Sequence, residues 1–192
     1  MFFCFFSAML LMISCGERET TEKKTTETER TQEKETVTPS CTEGPDEIFV
    51  PFVFQEIRTD GYHEGIEYPT VTLIESVDAL EEYHKRNKGL YDLAHREKYG
   101  SDFTMGFLDA AAGYDAEWFE SHQLILVLLE EPSGSIRHRV ESVVLPKNEI
   151  LIDVLLPEVG TDDMAEWHIL IEVEKVFDTS DSITVLLNRV AQ

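Results

Sequence analysis

The run Leu124-Ile125-Leu126-Val127-Leu128-Leu129 decides the fold, because every one of its side chains is apolar. Successive side chains of a strand point to opposite faces of a sheet, so an uninterrupted apolar run is typical of a strand that is covered on both faces. The sequence therefore predicts a central strand here, with packed layers on either side of its sheet.

Strand and helix patterns surround this run. Further strands, separated by turn residues, are predicted at 48–58, 68–75, 136–145, 149–156, 165–176 and 183–189. Helices are predicted from Val77, with Ser76 as the N-cap, and over 107–112 and 115–121. This order predicts an α+β fold, an antiparallel β-meander of about five to seven strands with two or three helices packed on one face.

The densest group of candidate metal ligands is Asp162, Asp163, Glu166 and His168. Alternation in 165–176 turns Trp167 and the apolar residues at 169, 171 and 173 inward. Glu166 and His168 then share the outward face, beside a loop rich in carboxylates. Such oxygen ligands suit Ca²⁺, but the spacing of an EF-hand loop is missing. We therefore predict neither a metal nor a cofactor, and weak surface Ca²⁺ binding at these four residues is the alternative.

Arg137, His138 and Arg139 form the basic cluster of an acidic domain. Alternation places the two arginines on one face of the strand and His138 on the other. Arg137 and Arg139 are candidates for binding an acidic partner. The alternative is that they balance Glu130, Glu131 or Glu141 across neighbouring strands.

Motifs of common enzyme classes are missing from the sequence. There is no G-x-S-x-G elbow, phosphate-binding glycine loop or C-x-x-C pair. Ser133 and Ser135 lie in a Pro-Ser-Gly-Ser segment that reads as a hairpin turn rather than as the strained bend of a nucleophile. We predict no catalytic residues, so the domain is expected not to be an enzyme.

The N-terminal segment, MFFCFFSAMLLMISCG, has the form of a bacterial lipobox. Its apolar run is shorter than the roughly 20 residues that span a bilayer, which indicates a signal peptide. No Lys or Arg precedes the run, and Met12 stands where leucine is more usual. We expect a lipoprotein signal peptide over 1–14 and acylation of Cys15, for example with palmitate. The predicted location is the extracytoplasmic face of the cell membrane.

Residues 15–45 read as the lipid anchor and a disordered stalk, and 46–192 as one globular domain. From residue 17 to 45 the segment is rich in Thr, Glu and Lys, with Val37 as its one large apolar side chain. The domain carries 30 acidic and 11 basic side chains, a formal charge of −19. This charge repels a phosphate backbone, so nucleic acid is excluded as a partner. Cys41 is the one thiol expected to remain free.

Three segments carry a resemblance to a known family: RTDGY at 58–62, the segment 114–138 (YDAEWFESHQLILVLLEEPSGSIRH) and 159–173 (VGTDDMAEWHILIEV). They resemble uncharacterised lipoproteins of Gram-positive anaerobes, and more loosely the PrcB-type accessory lipoprotein domain of secreted-protease complexes. The resemblance implies a cell-surface lipoprotein with a non-catalytic α+β domain. It supplies no catalytic residues.

These observations predict a membrane-anchored extracytoplasmic lipoprotein whose domain serves in binding or assembly and supports a secreted partner protein. The alternative is a cell-envelope hydrolase that uses surface carboxylates. A carboxylate pair of raised pKa inside a cleft would favour the hydrolase. An apolar patch or an exposed sheet edge would favour the binding protein.

Overall fold

A computed structural model describes residues 47–61, 63–95, 105–178, 180 and 182–192. All of them belong to one compact unit, Glu43–Gln192. The predicted signal peptide, Cys15, the stalk and Cys41 lie outside the described residues. The elements, in chain order, are β1 Ile48–Phe49, β2 Phe52–Arg58, β3 Thr70–Ile74, α1 Val77–Asn87, α2 Phe107–Ala111, α3 Trp118–Ser121, β4 His122–Glu131, β5 Arg137–Leu145, β6 Glu149–Leu156, β7 Ala165–Glu174 and β8 Thr184–Ala191.

The eight described strands form two four-stranded sheets. We name the one with the order β2-β7-β4-β3 the central sheet and the one with the order β1-β5-β6-β8 the outer sheet. All pairs in the central sheet are antiparallel. In the outer sheet β8 runs parallel to β6, whereas the other pairs are antiparallel. The α+β class is therefore confirmed.

The central sheet is covered on both faces, as the run at 124–129 predicts. Ile125, Val127 and Leu129 pack with β5 and β6 of the outer sheet, and Leu124, Leu126 and Leu128 pack with the three helices. Burial of apolar surface contributes about 25 cal/mol per Å². An apolar core on each face of the central sheet therefore holds three layers together: the outer sheet, the central sheet and the helices.

The single meander expected from the sequence is wrong. β7 inserts between β2 and β4, and β6 pairs with β5 and β8 rather than with β7. The connection from β6 to β7, residues 157–164, carries the chain from the outer to the central sheet. Alternating side chains identify the faces of a strand but not its neighbours, and a connection of this length permits a change of sheet.

Helix α1 begins where the sequence predicts. The N–H of Ala79 donates to Oγ of Ser76 at 3.2 Å, which satisfies one of the free N–H groups of the first turn. Leu80, a residue of α1, is buried on the side of the helix that faces the sheet. With α2 and α3, which bury Phe107 and Phe119, α1 covers one face of the central sheet, and the helices share that face as expected.

Candidate functional site

The four candidate metal ligands do not converge. Asp163 accepts hydrogen bonds from Nη2 of Arg58 at 2.7 Å and from the N–H of Gly134 at 3.1 Å. A hydrogen bond from Thr161 and the contact with Arg58 lower the pKa of Asp163 to about 2. Asp162 is exposed in the same loop. Among the residues that the structure describes, no group of three His, Cys, Asp or Glu side chains could hold a metal ion.

His168 lies in the core rather than on an outward face, so the predicted orientation is wrong. Its Nδ1 atom is 2.7 Å from Oγ1 of Thr59, and its Nε2 atom is 2.8 Å from the hydroxyl of Tyr83. The rings of Tyr91 and Phe107 pack edge-on against the imidazole. Burial lowers the pKa of His168 to about 3, so the ring is neutral and both nitrogens are used within the fold.

Glu166 is on the same face of β7 as His168, but it is only 2% exposed. Its Oε2 atom accepts the N–H of Gly61 at 2.8 Å, and its Oε1 atom has no hydrogen-bond partner among the described residues. A Cβ on residue 61 would collide with the carbonyl of Leu90, so glycine is required for this close approach. Burial, together with the charges of Glu130 and Asp60, raises the pKa of Glu166 above its usual range.

The two candidate arginines have partners within the domain. Arg139 contacts Glu141 on its own strand and Asp153 across the sheet, the latter at 2.9 Å. The guanidinium of Arg137 lies 4.9 Å from the ring centre of Trp167 and donates to the carbonyl of Gly134. Charge balance within the sheet therefore accounts for Arg139, with Asp153 as a cross-strand partner that the sequence did not indicate.

His138 is a buried ionic residue whose partners the sequence does not reveal. Its Nδ1 atom is 3.2 Å from Glu56, and its Nε2 atom is 3.6 Å from Glu131, whose side chain is buried. Arg189 contacts the other oxygen of Glu131 at 3.3 Å. Burial acts to lower the pKa of His138, but the contacts with the carboxylates of Glu131 and Glu56 outweigh it and raise the pKa.

A groove of about 460 Å³ lies between strand β3 and helix α1, and we name it the β3–α1 groove. Thr70, Thr72 and Ile74 line it from β3. Ala79, Tyr83 and Arg86 line it from α1, with the spacing of one helix face. The remaining lining includes Leu128 of β4 and the loop residues Ile66, Leu90 and Tyr91. Side chains of both polar and apolar type therefore face one open space.

Strand β3 borders the groove with one free edge. It pairs with β4 along its whole length and with no other described strand. A second cavity, of about 760 Å³, lies between α1 and α2, and no strand residue lines it. The β3–α1 groove thus combines a cavity with an edge strand whose outer backbone groups pair with no other described strand, which the second cavity does not offer.

One end of the groove is aromatic and acidic. The hydroxyls of Tyr68 and Tyr91 are 3.3 Å apart, and the His63 ring packs edge-on against Tyr91. Burial and the charges of Glu166 and Glu130 raise the pKa of Tyr68. Thr70 pairs with Leu128, and Glu130 lies two residues beyond Leu128 on β4, on the same face of the sheet. This end, which we name the Thr70 end, therefore carries negative potential.

Comparison with known proteins adds no assignment. No protein-family model, no curated protein and no solved structure matches this chain. No helix within the described part of the chain is both long and apolar enough to cross a membrane.

Proposed function

We propose that the protein is a lipoprotein, held at the extracytoplasmic face of the cell membrane through Cys15, whose domain binds a partner protein. The lipobox and the polar stalk behind it support the anchor. The acidic domain, with its formal charge of −19, is unsuited to nucleic acid and suited to a basic partner. The role is non-catalytic, and the secreted partner is supported or assembled by the contact.

The observation that carries the binding role is the β3–α1 groove beside the free edge of β3. Unpaired strand edges are usually protected by charges, proline or a covering element, because they pair readily with another chain. The residues of β3, Thr-Val-Thr-Leu-Ile, include neither a charge nor a proline. An uncharged edge next to an open groove is the arrangement that partner binding by strand addition uses.

The alternative, a cell-envelope hydrolase, requires a pair of carboxylates that substrate can reach. Glu130 and Glu166 lie opposite each other on β4 and β7, and the pKa of Glu166 is raised. Glu166 is nevertheless buried, and neither carboxylate lines the β3–α1 groove or the second cavity. Geometry for binding is therefore better supported than geometry for hydrolysis.

The experiment that tests the binding role is affinity capture from membranes by the tagged full-length chain. Thr72→Trp places an indole in the groove, and Thr184→Trp makes the same change on the exposed edge strand β8. Circular dichroism first establishes that both variants fold. We expect Thr72→Trp to lose the captured protein and Thr184→Trp to retain it. Equal capture by both variants, or envelope hydrolysis that Glu166→Gln abolishes, would overturn the proposal.

The anchor has a separate test. Cys15→Ser removes the thiol that would be acylated, so we expect loss of fatty-acid labelling and accumulation of uncleaved precursor. Unchanged labelling would refute the anchor and leave the groove experiment unaffected.

A further inference from the structure

We propose that the β3–α1 groove binds an extended segment of the partner as an added strand on β3. Alternate apolar side chains of that segment enter the groove, and a Lys or Arg lies at the Thr70 end. This inference rests on the proposed function and specifies the chemistry of the partner.

The geometry of the groove favours an extended chain over a helix. One wall is a strand whose outer N–H and C=O groups pair with no other strand in the described part of the chain, and the opposite wall is one face of α1. An added strand would use the backbone groups of β3, while every second side chain would point between β3 and α1. Five residues of strand span roughly 17 Å, so the segment is short.

The middle of the groove selects uncharged side chains. Glu82 and Arg86, the two charged residues of the lining, form an ion pair with each other at 2.8 Å on successive turns of α1. Leu73, Ile74, Ala79 and Leu128 supply the apolar part of the surface. A charged side chain in this part would lose water without gaining an opposite charge, which costs free energy.

The Thr70 end selects a basic side chain. Glu67 and Glu130 form no ion pair with any residue that the structure describes. Glu67 adjoins the lining residue Ile66, and Glu130 lies two residues beyond Leu128 on the same face of β4. A Lys or Arg would complement this group, and charge complementarity of this kind sets specificity and association rate.

A second copy of the chain fits this surface less well. Pairing of β3 with another β3 would bring carboxylates to both ends, because Glu67 precedes the strand and Glu75 follows it. Two domains of charge −19 also repel each other. The surface therefore matches a different protein with a basic, extended segment.

The test uses an array of short synthetic peptides with alternating apolar residues, half of them ending in lysine and half in glutamate. Binding to the full-length chain is measured by fluorescence anisotropy. We expect the lysine series to bind, the glutamate series to bind at least ~10-fold more weakly, and Thr72→Trp but not Thr184→Trp to abolish binding. N-methylation of the peptide should abolish binding at every second position and have little effect between them, because only alternate N–H groups face β3.

A charge reversal at the Thr70 end completes the test. Glu67→Lys should weaken the binding of the lysine peptides roughly 3- to 10-fold. Glu174→Lys, at the opposite end of the central sheet, should change their binding less than about twofold. Failure of all peptides to bind, equal binding of both series, a uniform effect of N-methylation, or dimerisation through β3 would overturn the strand proposal. If a partner is captured through the groove and its capture is unchanged by Glu67→Lys, the strand proposal is overturned, while the proposed function still holds.

Discussion

Glu130 and Glu166 lie directly opposite each other on β4 and β7, and Glu166 is buried with one oxygen that has no hydrogen-bond partner in the part of the chain that the structure describes. Like charges in facing positions of a sheet are destabilising. The structure accommodates the pair because the N–H of Gly61 binds Glu166 and because burial and Glu130 favour its protonated form.

Glu166→Gln is expected to stabilise the protein at neutral pH. A raised pKa in the folded state means that the native protein holds this proton more tightly than the unfolded chain. The stabilisation that this proton gives the folded protein is complete when the pH is below the pKa of Glu166 in the unfolded chain, near 4.3. It is lost as the pH rises through the pKa of Glu166 in the folded protein. Gln keeps an acceptor for Gly61 and offers an N–H to Glu130, so the free energy of unfolding should rise by about 1 kcal/mol at pH 8.

Urea denaturation at pH 4 and pH 8 measures this change. Glu158→Gln, on an exposed loop, is the matched control and should leave the free energy of unfolding within about 0.5 kcal/mol. A Glu166→Gln variant less stable than the native protein at pH 8 would show that the carboxylate is needed in its charged form.

His138→Gln is expected to flatten the pH dependence of stability above pH 6. The native imidazole faces Glu56 from β2 and Glu131 from β4, with Arg137 and Arg189 on the far sides of those carboxylates. Because the folded pKa of His138 is raised, its stabilising contribution is complete below the unfolded value, near 6.5, and is lost as pH rises through the folded value.

Thermal unfolding from pH 5.5 to pH 8.5 checks this prediction. The native protein should lose stability across the range, and His138→Gln should lose less and be the less stable of the two at pH 5.5. His95→Gln removes an exposed histidine that contacts one carboxylate and serves as the control. Parallel pH profiles for the native protein and His138→Gln would contradict a charged His138.

Tyr83→Phe is expected to cost roughly 1–3 kcal/mol of stability, because it leaves Nε2 of the fully buried His168 without a partner. The cost should be much smaller in a His168→Leu background, in which no buried nitrogen remains to be satisfied. A double-mutant cycle by urea denaturation measures the coupling. Additive effects of the two changes would mean that the hydroxyl stabilises the fold through some other contact.

The sequence predicted the parts of the fold that depend on one element at a time. The run at 124–129 identified the strand covered on both faces, and Ser76 identified the start of α1. The order of the strands in the sheets could not be predicted from the sequence, because alternation does not say which strand lies beside which. The polar residues Glu166 and His168 suggested an outward face, but Thr59 and Gly61 of a distant segment cover them.

The candidate site could not be predicted from the sequence either, because its residues are scattered along the chain. Thr70 and Thr72 alternate as expected of a strand, yet the free edge of β3 depends on the order of the whole central sheet. Alternation in β5 predicted that His138 lies on the face opposite the two arginines, but Glu56 and Glu131 are its neighbours only in three dimensions. Buried ionic partners carry no local sequence signal.

The most direct test of the central claim is a map of the partner's contact on the protein. Backbone amide resonances of the ¹⁵N-labelled full-length chain are followed while the captured partner, or a bound peptide from the array, is added. We expect the largest shift changes in β3 and along the groove face of α1, including Thr72 and Ala79. Changes confined to the outer sheet, at β8 or around Arg139, would contradict binding in the β3–α1 groove.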